Sequence, residues 1–250
     1  MVIIKKGVFS LGLIMISLLL TTTYVSANEM EIDIVFDSSQ AFYDPEIGEW
    51  IQPFQVNQDG SIVILTQEEY YNEIESSLEE EEILETDQFI TSNDNLDLVT
   101  ILDNYREYWV FVSSGSRYTQ EGSTLKVSPD IYCNTGTCSA SITVGVTVSH
   151  GFSTTVSAER SVIQASAGSS WQVSASNEIA FTYNLINGDQ GYIGFIPYFW
   201  RIDGKLERHS NWDGKLYEKS AWGRYPKLTA NNLADGRYFF VYTKRSPIQQ

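Results

Sequence analysis

The stretch Ser139-Ala140-Ser141-Ile142-Thr143-Val144-Gly145-Val146-Thr147-Val148-Ser149 decides the fold class. Ala140, Ile142, Val144, Val146 and Val148 fall on one side of an extended backbone, with Ser141, Thr143, Gly145, Thr147 and Ser149 on the other, because strand side chains alternate with period two. A second alternation starts at Trp171, passes through Val173 and Ala175, breaks at Asn177 and resumes in phase at Ile179, Phe181 and Tyr183. At ~3.3 Å per residue the first run extends roughly 35 Å, long against a usual strand of about five or six residues. After Val148 a two-residue loop at His150-Gly151 sets Val148 against Ser153. A three-residue loop, His150 to Phe152, sets Val148 against Thr154 and Val146 against Val156. Only the odd loop keeps one face apolar, so the register predicts that hairpin.

Working outward, charge is nearly absent around these runs. Between Ile131 and Trp200 only Glu159, Arg160, Glu178 and Asp189 are charged, and Ser and Thr fill the polar positions. Upstream, Tyr108 to Val112 is aromatic and β-branched and reads as a buried strand. Downstream, Tyr192 to Trp200 is apolar on both faces, as in a covered strand, with Pro197 marking an edge or a bend. Asp203-Gly204, Asp213-Gly214 and Asp235-Gly236 carry hairpin turn chemistry, and Arg237 to Tyr242 reads as the final strand. Together these runs predict a mainly β fold, an antiparallel sandwich or an elongated twisted sheet, preceded by a small acidic α+β region.

That acidic region is defined by charge. The chain has 250 residues and a net charge of −16, but residues 28–105 hold 21 Asp or Glu and no Lys or Arg, whereas residues from 106 onward carry +3. Within the acidic part, Phe54 to Val56 and Ser61 to Leu65 flank Asn57-Gln58-Asp59-Gly60 as strand, turn and strand. Thr66-Gln67-Glu68-Glu69 is a capping box, and Tyr70, Ile74 and Leu78 give the following helix an apolar stripe. The run Glu79 to Glu82 repels itself at the wrong end of that helix, predicting fraying into a linker. At the N-terminus Lys5 and Lys6, the apolar run Gly7 to Leu20 and Val25-Ser26-Ala27 have the order of a secretory signal peptide. The expected organisation is a signal peptide at 1–27, an acidic region at 28–93, a linker at 94–105 and a β-rich domain at 106–250. Export admits a structural disulfide between Cys133 and Cys138, which flank a four-residue turn.

Composition and motifs argue against several functions. The weak basic excess of the β-rich part gives nucleic acid no cluster to bind. Two histidines, two cysteines and no EF-hand spacing leave no metal site, and no phosphate loop, nucleophile elbow or dinucleotide fingerprint indicates a cofactor or an enzyme. Ser123-Thr124-Leu125-Lys126 matches Ser-x-x-Lys only formally. The leading reading is a secreted protein that acts by binding, on a cell surface, a glycan or a membrane. Tyr198, Trp200, Trp212, Trp222 and Tyr225 are its candidate ligand-binding residues, set against the ordinary role of aromatics in a core. Residues 201–250, with ten basic and five acidic side chains, leave room for the acidic region to act as an intramolecular mask.

Long alternating strands, rich in Ser and Thr and poor in charge, also suit a segment that is first soluble and later lines a barrel. On these residues the stretch 139–197, with Gly191-Tyr192-Ile193-Gly194-Phe195-Ile196-Pro197 at its end, resembles the insertion strands of aerolysin-type β-pore-forming proteins. The resemblance implies an elongated all-β fold and a pore-forming activity, and assigns no residue a role. More generally the chain resembles secreted Gram-positive proteins without assigned function.

Overall fold

The computed structural model describes residues 33–57, 62–82, 104–134, 136–186 and 188–245. The expected signal peptide, the Asp59-Gly60 turn and most of the expected linker lie outside these residues. Strands β1 (Asp33–Val35), β2 (Phe42–Asp44), β3 (Glu49–Val56) and β4 (Ile62–Ile64) precede helix α1 (Gln67–Leu78) and strand β5 (Glu81–Glu82). Four strands follow: β6 (Glu107–Ser113), β7 (Arg117–Glu121), β8 (Leu125–Lys126) and β9 (Ile131–Tyr132). The long strand β10 (Thr137–Ser149) then leads through β11 (Gly151–Phe152) and helix α2 (Ser157–Ser166) to β12 (Ser174–Ile186). Finally come β13 (Gln190–Ser210), β14 (Gly214–Pro226) and β15 (Gly236–Lys244).

The fold is mainly β, as the alternation requires, and forms a sandwich. One sheet has the order β1-β12-β10, and the other gathers twelve strands around β13. The two long alternations pair with each other in unbroken antiparallel register, from Thr137 opposite Ile186 to Ser149 opposite Ser174. The predicted three-residue hairpin is therefore not formed. Val148 lies opposite Ala175, and the intervening chain leaves to place β11 on the edge of β14 and α2 against the sheet. Pairing Val148 with Ala175 and Val144 with Ile179 satisfies the same one-face rule as the local hairpin did, and the more distant partner wins because it brings thirteen residues into register instead of a few.

The valine face of this ribbon closes the core. Val144, Val146, Val148, Ala175, Tyr183 and Leu185 pack with Phe54, Ile193, Phe195 and Phe240 of the larger sheet. The opposite face of β13 and β15 lies under α1, where Ile196, Phe239 and Val241 meet Ile51 and Tyr70. Helix α1 starts as the capping box requires, with the Glu69 amide donating to the Thr66 hydroxyl (3.3 Å) and the Thr66 amide to the Glu69 carboxylate (2.8 Å). Farther along β13, Ile202 and Leu206 lie beneath α2 and Trp171. Thus each stretch of β13 has at least one covered face. Strand β6 is covered by α2 on one face only, leaving Tyr108 and Val112 exposed, so it is half-buried instead of buried.

Strand β13 corrects the expected Asp203-Gly204 turn and narrows the reading of Pro197, which is not at a sheet edge. It lies where the partners of β13 change, β8 and β15 ending by Pro197 and β7 and β14 starting at Tyr198 or Phe199, so its missing N–H interrupts no ladder. Asp203-Gly204 is not a turn either. Asp203 accepts from Arg201 (2.9 Å) and Tyr118 (2.6 Å) on the sheet surface, while a Cβ at Gly204 would come within 2.6 Å of the Phe111 ring. Asp213-Gly214 does turn the chain between β13 and β14, with Gly214 at φ +71°.

Residues of the acidic region are built into this sheet. Strand β3 pairs with β15 from Trp50 opposite Tyr242 to Phe54 opposite Tyr238, and the expected hairpin is present as β3 paired with β4. Glu81 and Glu82, expected to fray, instead pair with Tyr118 and Arg117 of β7.

Candidate functional site

The β10–β12 ribbon is the candidate site, because it is the element whose sequence asks for more than a stable core. Its exposed face carries Ser141, Thr143, Gly145, Thr147 and Ser149; opposite them Ala180, Glu178, Ser176 and Ser174 are exposed too, while Thr182, opposite Ser141, is buried. Hydroxyl pairs bridge the strands, Ser141 with Thr182 (2.8 Å) and Thr147 with Ser176 (2.9 Å). Such cross-strand pairs hold a ribbon together with few charges. The ribbon shares no ladder with the twelve-stranded sheet among the described residues, and β1 joins it over three residues only. What attaches it is burial of its valine face, about 1.5–3 kcal/mol for each large side chain.

Three anchors add to that burial. The Cys133–Cys138 disulfide, with Cα atoms 5.5 Å apart, ties the start of β10 to the chain just after β9, which is paired with β13. Asn177, which breaks the apolar alternation, is buried and donates through Nδ2 to the Ala234 carbonyl (3.4 Å), while the Ala234 amide donates to the Ser176 carbonyl (3.2 Å). At the far end α2 is clasped to β14 by Glu159, whose carboxylate accepts from the Lys219 ammonium at 2.8 Å and from the Thr154 hydroxyl. Burial by itself raises the Glu159 carboxyl, but Lys219 and Thr154 outweigh it and hold the group below the usual carboxylate range. A carboxylate with a lowered folded value adds stability above its unfolded value, about 4.3, and loses it as pH falls through the folded value. Glu159→Gln is therefore expected to lower stability by about 1–3 kcal/mol at pH 7. The deficit should shrink on acidification below about pH 4, as read by urea denaturation across pH.

The structure separates the five aromatic candidates. Trp200 and Tyr225 are opposite each other on β13 and β14 and form the α2 core with Trp171, the Tyr225 and Trp171 rings 4.9 Å apart. Arg117 lies over the Trp200 ring at 4.9 Å and donates to the Tyr225 hydroxyl. Tyr198 is buried under α1, 5.9 Å from Lys227. Trp222 points to the other face, beneath the Arg201 guanidinium at 4.7 Å. Trp212 alone is broadly exposed, at 62%, on the β13–β14 turn, where its ring meets Tyr105 edge-on at 5.4 Å.

Sequence reading missed the charged contacts. Arg237, 3% exposed, donates to the Tyr70 hydroxyl (2.6 Å) and Glu121 (2.9 Å), and Lys227 pairs with Glu80 (2.6 Å). Burial raises the Glu121 carboxyl, against the pull of Arg237. These contacts join the acidic region to the basic C-terminal strands. The excess of basic residues after 201 was the available signal, though not for which carboxylate each would meet. Lys126 of the formal Ser-x-x-Lys is engaged with Asp130 (2.6 Å). Among the described residues no three His, Cys, Asp or Glu side chains converge as a metal would require, and no helix is long and apolar enough to cross a membrane.

The fold and the ribbon define a β-sandwich protein bearing an amphipathic two-stranded ribbon on one face. The chain belongs to a family of unknown function (DUF6060), whose match spans residues 109–249 and so takes in the ribbon, its three anchors and β13 to β15. Among solved structures it is similar to parasporin-2, a Bacillus thuringiensis toxin that recognizes cancer cells, with 6% identity and a TM-score of 0.21 over 56% of this chain and 69% of that one. The similarity is of the kind the sequence resemblance to aerolysin-type proteins suggested, and at this score it carries no functional argument. No curated protein matches the chain in sequence.

Proposed function

We propose that this is an exported, non-catalytic protein that acts on membranes through the β10–β12 ribbon. The carrying observation is the ribbon itself: two thirteen-residue strands in continuous register, hydroxyls outward and valines inward, with no ladder to the main sheet among the described residues. Strands of about 9–11 residues suffice to cross a bilayer when tilted, and the required pattern is one apolar and one polar face. Released from the core, the valine face would meet lipid and the Ser/Thr face a water-filled lumen. The disulfide beside the ribbon supports export, since such bonds persist in oxidising compartments.

Thr143 is exposed on the polar face, so a charge there leaves the folded protein intact and would enter the lumen of an assembled pore. In planar bilayers Thr143→Lys is expected to shift ion selectivity toward anions and Thr143→Glu toward cations, each by about twofold or more. Dye retention in vesicles of several lipid compositions, with a protein that stays monomeric, would reject the reading.

A second reading rests on the β13–β14 turn. Trp212, Tyr105, Tyr108, Tyr217 and Leu216 are all exposed there, beside Glu107 and Asn211. Aromatic platforms flanked by polar groups suit sugar rings or membrane interfaces. This is the form in which the binding reading survives, carried by Trp212 of the original five aromatics. Trp212→Ala should abolish cell-surface binding with stability unchanged if the turn is the contact, measured by cell-binding cytometry beside thermal unfolding.

A further inference from the structure

We infer that Arg224 heads a binding site for a tetrahedral oxyanion, a phosphate or sulfate group, in the cleft where the end of β10 meets the larger sheet. The cleft is open to solvent, has a volume of about 280 Å³, and is walled by the apolar Leu125, Val148, Pro197 and Phe199 beside Ser123, Thr147, Ser149 and Arg224. A liquid water occupies about 30 Å³, so a phosphate group fits with part of its hydration shell.

Charge selects the ligand. Arg224 of β14 lies directly opposite Arg201 of β13, and like charges so placed are destabilising unless each is neutralised. Arg201 is neutralised by Asp203 at 2.9 Å, and Tyr118 donates to the same carboxylate at 2.6 Å. Arg224 has no such partner among the described residues: its guanidinium lies over the Phe199 ring at 4.5 Å, and its buried Nε makes no hydrogen bond. The surplus positive charge of the pair is therefore at the wall of the cleft.

Hydrogen bonding agrees. Ser123, in the loop after β7, and Thr147 and Ser149, at the end of β10, line the same cleft as this cation. Thr147 is bonded to Ser176, whereas Ser123 and Ser149 are exposed and make no side-chain hydrogen bond to other described residues. A guanidinium with an unused N–H, in a cleft that exposed hydroxyls also line, offers donors of the kind that phosphate or sulfate oxygens accept from. Ser123 thus gains a role as a donor that has nothing to do with a nucleophile. Because the lining residues come from β10 on one side and from β13 and β14 on the other, a bound oxyanion would bridge the ribbon end to the sheet beneath it. The site stands whether or not the ribbon enters a membrane.

The test titrates the folded chain with inorganic phosphate and with sulfate, following the arginine Nε–Hε resonances by NMR, and in parallel sediments it with vesicles of phosphatidylcholine alone or with added phosphatidic acid. We expect saturable movement of one Arg Nε–Hε signal, absent from Arg224→Gln and at least tenfold weaker in Ser123→Asp. Ser123 is exposed, so that variant cancels the positive charge at the cleft without altering the core and keeps the test decisive should Arg224→Gln fail to fold. Lys205→Gln, which removes a solvent-exposed partner of Glu218, should bind as the parent does. Added sedimentation with phosphatidic acid that Ser123→Asp loses identifies a lipid phosphate as the source. Binding of free phosphate without it identifies a soluble ligand. No resonance movement at millimolar phosphate or sulfate, or equal binding by Ser123→Asp, overturns the assignment.

Discussion

A chain that starts at Asp103 is expected not to fold. Such a truncation removes Phe36, Ile51, Phe54 and Tyr70, each at most 1% exposed, from two different core clusters. At about 1.5–3 kcal/mol per buried side chain, their loss alone approaches the roughly 5–15 kcal/mol by which a domain is stable. It also strips β3 from β15, leaving an edge of unpaired backbone groups beside Phe239 and Phe240, which invites aggregation. Arg237 would lose Tyr70, and its ion pair with Glu121 would lose the cover of α1. Circular dichroism and size exclusion should report loss of the cooperative transition and formation of aggregates. A soluble, cooperatively unfolding truncated chain would instead support a removable mask. The acidic region is thus expected to act as structure, its carboxylates meeting the basic strands as part of the fold.

The second large effect is expected at Gly223 of β14. A Cβ there would lie 2.6 Å from Ile163 and 2.9 Å from Trp171, so even alanine forces α2 and the Trp171 ring outward. Gly223→Val should cost about 1–3 kcal/mol by overpacking, and more where the ring stack of Phe152, Trp171 and Tyr225 is lost as a unit. The signature is local: limited proteolysis should cut within 153–171 at least tenfold faster while the β13–β15 ladder stays protected in hydrogen exchange. If the ribbon acts on membranes, the same variant should release dye from vesicles faster, since α2 holds the far end of the ribbon's connection. Unchanged proteolysis would mean that α2 is held elsewhere.

Much of the fold was legible because burial writes itself into periodicity. The valine and hydroxyl alternation of β10 appears in the structure side for side, and the capping box at Thr66 places the start of α1. What periodicity does not encode is the partner. Val148 satisfied the one-face rule with either Thr154 or Ala175, and only the whole thirteen-residue register distinguishes the two. Asn177 illustrates the same limit: it was visible as an interruption, while its reason, the Ala234 carbonyl, is 57 residues away. Asp203-Gly204 misled because turn propensity is local, whereas Arg201, Tyr118 and the approach of Phe111 come from neighbouring strands. For the site, the ribbon was readable and the aromatic set was not, since Trp200, Tyr225 and Tyr198 are large enough to be either platform or core. Arg224 carried no signal at all, because its opposition to Arg201 exists only once β13 and β14 are in register.

Strand β13 pairs with six other strands, four of them N-terminal to β10. Those earlier strands have no template until residues 190–210 are available, so synthesis must run through most of the chain before the main sheet can begin to close. A topology dominated by such distant pairings folds slowly. On the proposed reading of an exported chain, that delay is useful: about the first three quarters would be threaded through a membrane channel as unfolded polypeptide, with the last strands to emerge setting the moment at which the molecule acquires its shape.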